Sequence, residues 1–78
     1  PLLITVDRGA STGNEFGGHN AEVWTMQLKG KMELMLGEKA HTLEEGDCAY
    51  FKSSVPHSFR NIGKSKSVAF CVITPPRN

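Results

Sequence analysis

The chain is 78 residues long, about half of the ~150 that a typical domain occupies, so residues 1–78 are expected to form a single domain with a thin core. Nine Lys plus Arg against eight Asp plus Glu leave a net charge of +1, and the basic residues are scattered, which excludes the electrostatic footprint of a nucleic-acid binder. No apolar run approaches the ~18–20 residues of a membrane span, and the amino terminus has no basic region leading into an apolar one, so the expectation is a cytoplasmic module that engages no membrane. Cys48 and Cys71 are too few for a disulfide framework and too isolated for a paired-cysteine metal site, and both read as free thiols.

Along the chain, apolar residues recur with a period of two, and no stretch shows the three-and-four spacing of an amphipathic helix. A first strand is expected over Leu2 to Val6. Gly9 to Asn20 follows, with glycines at 9, 13, 17 and 18 and little to bury, and reads as a mobile loop that either borders a pocket or simply connects. A strand over Glu22 to Lys29 places Val23, Thr25 and Gln27 on one face and Glu22, Trp24, Met26 and Leu28 on the other. The second set is bulky and needs cover, which a second subunit, or packing against the partner sheet through the last strand, would supply.

Gly30 ends that strand, and two more are expected over Lys31 to Leu36 and Lys39 to Leu43, separated by Gly37-Glu38. Glu44 and Glu45 precede Gly46 and read as solvated turn carboxylates. Strands over Asp47 to Phe51 and Pro56 to Asn61 flank Ser53-Ser54, and Asn61, Gly63 and Lys64 read as a simple polar turn. The last strand, Ser67 to Thr74, is apolar on both parities and is expected to lie between two sheets, covered on both faces. Pro75 and Pro76 then stop any ladder. Seven short strands punctuated by turn residues predict an all-β sandwich or barrel of hairpins.

Three histidines could carry chemistry: His19, His41 and His57. No serine sits in a nucleophile elbow, neither cysteine lies beside a histidine in sequence, and the glycines from 13 to 18 lack the lysine of a phosphate loop. Cys71, in an apolar strand, is expected to be inert.

The segment from Gly46 to Asn61 resembles the second conserved motif of the cupin superfamily: a glycine at 46, a histidine eleven positions on at 57, three residues and an asparagine at 61. Upstream, His19 followed by Glu22, Trp24 and Leu28-Lys29-Gly30 resembles the first motif. The ending Val72-Ile73-Thr74-Pro75-Pro76 is similar to the closing strand of the sensor domains attached to helix-turn-helix transcription regulators. The resemblance implies a conical antiparallel β-barrel of jelly-roll type, a double-stranded β-helix, whose interior holds a metal or a small molecule. It also implies metal ligands at positions 17 and 23, where this chain has Gly17 and Val23. Glu22 stands one place early, and only a β-bulge would turn its carboxylate inward. With a bulge, His19, Glu22 and His57 would form a two-imidazole, one-carboxylate site for a divalent transition metal. Without it two imidazoles remain, too few to hold such an ion strongly, and no cofactor is expected.

Three readings follow. In the first, the chain is a homodimeric, ligand-sensing cupin whose small molecule contacts His19, Gln27, His57 and Phe59. The second is a metal-dependent cupin enzyme, an oxygenase or isomerase, acting on a small polar substrate. The third is a dimerisation module with a filled barrel. His41 matches no ligand position of the family and reads as structural or surface.

Overall fold

The computed structural model describes residues 2–12 and 21–74. It contains seven strands, β1 (Leu2–Val6), β2 (Glu22–Lys29), β3 (Met32–Leu36), β4 (Lys39–Leu43), β5 (Cys48–Lys52), β6 (His57–Asn61) and β7 (Ser67–Thr74). These pack as a four-stranded sheet in the order β1-β7-β2-β5 against a three-stranded sheet in the order β4-β3-β6, with every pairing antiparallel. None of the described residues forms a helix long and apolar enough to cross a membrane.

Register explains the core. Val23 pairs with Phe51 on one side and Ile73 on the other, and Thr25 pairs with Ala49 and Cys71. Cross-strand partners share a face, so the inner rows of the larger sheet follow from these pairings. On the smaller sheet Leu34 faces Phe59 and Met32 faces Asn61. The two inner faces meet in a core of Val6, Val23, Met32, Leu34, Leu43, Phe51, Phe59, Ala69 and Cys71.

The sandwich has one stitched side and one open side. On the stitched side the buried Asn61 amide donates to Val6 O at 2.9 Å and to Ser65 O at 2.7 Å, and its Oδ1 accepts from Gly63 N at 2.8 Å. Asn61 is thus no simple turn residue, because its side chain joins the first strand of one sheet to the last strand of the other. Residues 10–12 add to the seam: Thr12 N donates to Phe59 O, Asn61 N donates to Ala10 O, and Ser11 bridges to Arg60. The expected mobile loop therefore begins as an edge partner of β6, and its remaining positions lie outside the described residues. On the open side, β4 and β5 are joined by their turn, and a groove of about 370 Å³ lined by Leu36, His41, Asp47, Cys48 and Tyr50 runs between them.

One more expectation is corrected. β7 lies inside the larger sheet, between β1 and β2, not between two sheets. Its inner residues Ser67, Ala69 and Cys71 are buried while Phe70 on the other face is 38% exposed. Glu45 is an exposed turn carboxylate, as expected, and its Oε2 also accepts from Gly30 N at 3.0 Å, which ties the β4–β5 turn to the β2–β3 turn. Gly30 itself has φ of +80°, and a Cβ there would collide with the Ser67 hydroxyl. Glycine meets both demands at that turn.

Candidate ligand pocket between the sheets

A partly open cavity of about 140 Å³ lies between the inner faces, lined by Ile4, Thr12, Val23, Phe51, His57, Phe59, Cys71 and Ile73. Parity supplies most of this wall, because Val23, Phe51 and Ile73 form one cross-strand row. His57 and Phe59 alternate inward from β6, opposite Leu36 and Leu34. Thr12 is brought in by the segment that pairs with β6, its Oγ1 accepting from Phe59 N at 3.0 Å.

His57 opens β6 directly after Pro56, whose carbonyl accepts from Gly37 N at 2.8 Å and so fixes the strand entry. The imidazole is half-buried, and its ring centroid lies 4.9 Å from that of Phe51, tilted by 51°. Its Nδ1 is 2.8 Å from Val55 O. A carbonyl oxygen only accepts, so Nδ1 carries the proton of that bond, and in the neutral ring Nε2 is left as an acceptor. The backbone thus takes the ring's donor.

Cys71 offers little reactivity. Burial pushes its thiol up from the ordinary value, with the Thr25 hydroxyl pulling the other way, and its Sγ lies 3.2 Å from Thr25 Oγ1. Such a thiol stays protonated at neutral pH. Phe59 is 4% exposed and belongs to both the core and the cavity wall.

The structure brings His57 and Phe59 together but leaves Gln27 out of the wall. Gln27 is fully buried on the inner face, with Nε2 donating to Lys29 O at 2.8 Å and Oε1 without a partner. Glu22 pairs regularly with Lys52 and Thr74, and the irregularity of β2 falls between Gln27 and Lys29. The bulge is therefore at the far end of the strand from Glu22, which keeps the face of Trp24. His19 lies outside the described residues. His41 is exposed on edge strand β4 and lines the outer groove.

Among the described residues no three His, Cys, Asp or Glu side chains cluster as metal ligands. The cavity presents one imidazole, one protonated thiol and one hydroxyl, and Val23 stands where the resemblance places a glutamate. These described residues do not fit a divalent transition-metal centre.

Ile4, Thr12, Phe51, Cys71 and Ile73 are wall residues that reading the motifs alone does not find. Strand parity holds the signal for four of them, since each alternates inward from β1, β5 or β7. Thr12 has no such signal, because its place depends on the edge pairing of residues 10–12.

The Cupin domain family matches residues 2–73. An uncharacterized protein of Archaeoglobus fulgidus is 33% identical over 58 residues, covering 74% of this chain and 55% of that protein. The chain thus spans about half the length of this curated relative. Among solved structures, the Cupin_2 domain of an XRE family transcriptional regulator from Enterobacter cloacae superposes with a TM-score of 0.87 at 20% identity, over 96% of this chain and 79% of that one. A predicted oxalate decarboxylase from Thermotoga maritima superposes with a TM-score of 0.82 at 21% identity, over 91% and 61%.

Proposed function

The chain belongs to the cupin family, and on that premise we propose that it is a small-molecule-binding module of the sensor kind, related to the cupin domains of transcription regulators. The observation that carries this reading is the cavity at His57. Its wall is apolar apart from Thr12, Cys71 and His57, the usual make-up of a small-molecule site. A packed apolar cavity of about 150 Å³ admits a benzene-sized molecule, so 140 Å³ suits a single ring or a short branched chain. Because Val55 O occupies Nδ1, neutral His57 offers its ligand an acceptor, and the favoured ligand carries one hydroxyl or N–H donor. A bare carboxylate would meet a lone pair there.

The similarity to the regulator domain supports the sensor part of the reading. The enzyme reading requires a metal that the described residues do not fit. A filled barrel is at odds with the cavity.

Phenol and benzene, which differ by one hydroxyl donor, make the test. Calorimetric titration is expected to give phenol about three- to tenfold tighter binding than benzene, the worth of one neutral hydrogen bond. His57→Ala should abolish that difference while the circular dichroism spectrum stays that of the parent. Equal affinities in the parent protein would remove His57 from the site.

A further inference from the structure

The cavity runs from a buried end at Cys71 to a partly exposed rim of Ile4, Thr12, His57 and Ile73. Three of the rim residues are fixed by strand ladders: Ile4 in β1, His57 in β6 and Ile73 in β7. Thr12 is held differently. It arrives on a segment in which Ser11 forms an isolated bridge with Arg60 and Ala10 O accepts from Asn61 N at 3.0 Å. Thr12 N donates to Phe59 O at 2.9 Å, and Thr12 Oγ1 accepts from Phe59 N at 3.0 Å.

This segment is poised to move. Asp7 to Ser11 are all exposed, so lifting it uncovers little apolar surface, and water can replace its hydrogen bonds to the β6 edge. Segments of that kind lie at the low end of local stability. A pivot stands at its start, since Gly9 has φ of +77° and nothing within 4 Å of the place a Cβ would take, which leaves its backbone free to turn.

We propose that residues 9–12 are a strap that gates the cavity, swinging about Gly9 to admit a molecule past Thr12 and docking again on the β6 edge over what has bound. Phe59 couples the two events. Ile62 N donates to Lys31 O, and the antiparallel alternation from that pair turns the main-chain groups of Phe59 away from β3, where Thr12 takes both. The Phe59 ring is cavity wall, so a molecule that orders the ring also favours the docked strap. The gate rests on the ligand-site reading above, whereas the Cys71 thiol reports the opening with no ligand present.

In a Cys48→Ser background Cys71 is the only thiol, and mass spectrometry follows its modification by methyl methanethiosulfonate. Below the unfolding transition the rate should be nearly independent of urea, because a local opening exposes little surface. Ser11→Cys with Arg60→Cys sets two thiols across the bridge, at a spacing a disulfide accepts. The oxidised pair should slow Cys71 modification by at least about tenfold, and phenol association likewise. Should that cross-link fail to form, Thr12→Val decides: the loss of its hydroxyl acceptor should speed modification about fivefold, the worth of one neutral hydrogen bond. A locked chain modified, or entered by phenol, as fast as the Cys48→Ser chain overturns the proposal. So does a rate that climbs with urea in parallel with unfolding, or a Thr12→Val rate equal to the parent's. Absence of phenol binding in both chains would count against the ligand-site reading alone, since the thiol rates still decide on the strap.

Discussion

Val23 and Trp24 are neighbours on β2 that point in opposite directions: Val23 walls the cavity and is 6% exposed, while Trp24 stands on the outer face at 52%. The same alternation pairs Ile73 with Val72 on β7. A single layer of backbone therefore separates the cavity from the exposed apolar outer face, the face whose bulk calls for cover by a second subunit. This is the shortest route by which a bound molecule could be felt by a second copy, provided that it binds one arrangement better than the other.

Coupling of that kind is reciprocal. Saturating phenol is expected to change the dimer dissociation constant by about fivefold or more, the low end of ordinary allosteric coupling. Sedimentation with and without phenol measures it. A constant unchanged within experimental scatter would leave a binding module without the sensing step.

Asn61 should matter for stability more than any other turn-proximal polar residue. Asn61→Ala leaves Val6 O and Ser65 O without their donor, and at about 1–3 kcal/mol for each buried orphan the expected loss is about 2–4 kcal/mol by urea unfolding. Asn61→Asp keeps the shape but sets a carboxylate against both carbonyls, and should be no better. Lys64→Ala, on the exposed part of the same turn, should stay within about 0.5 kcal/mol of the parent. A mild Asn61→Ala variant would mean that the seam between the sheets is held elsewhere.

Gly30→Ala should destabilise the chain by at least about 1 kcal/mol, since the residue sits at positive φ and its new methyl would strike the Ser67 hydroxyl. Gly37→Ala is the comparison, for it has positive φ but open space around it. The difference between their thermal midpoints isolates the collision from the dihedral cost.

The Cys71 thiol predicts a pH effect. Burial raises its folded value above the ordinary 9.0, so the folded state favours the protonated form. The resulting stability is fully present below pH 9 and is lost as pH rises through the unfolded value towards the folded one. In Cys71→Ala that share of the alkaline loss should vanish. Urea unfolding of both proteins from pH 8 to 10.5 measures it, and parallel curves would show that Cys71 does not contribute.

Much of this fold was legible from alternation alone. All seven strands lie within a residue of the ranges that parity predicts, and the split of β2 into Val23, Thr25 and Gln27 against Trp24, Met26 and Leu28 is the split observed. The misreadings share a cause, which is that a local pattern does not say what lies opposite. β7 is apolar on both parities because its outer side joins an exposed apolar face, and the sequence reads the same whether that face is covered by a sheet or left open. Asn61 has the composition of a turn residue, and its role as a clamp needs Val6, 55 positions away. Gln27 follows the inward parity as expected, yet its amide turns to Lys29 O instead of the cavity. The tautomer of His57 is set by Val55 O two residues upstream, a contact that spacing permits but does not dictate.

On the reading above, the cavity takes a small donor-bearing molecule at His57 Nε2. The most direct test is the nitrogen chemical shifts of that imidazole in a ¹⁵N-labelled chain titrated with phenol. Binding there should give a saturable shift of Nε2, an Nδ1 that keeps the signature of a protonated donor throughout, and accompanying changes at Val23, Phe51 and Ile73. Unmoved ring nitrogens at saturating phenol, or shifts confined to the outer face around Trp24 and Tyr50, would contradict it.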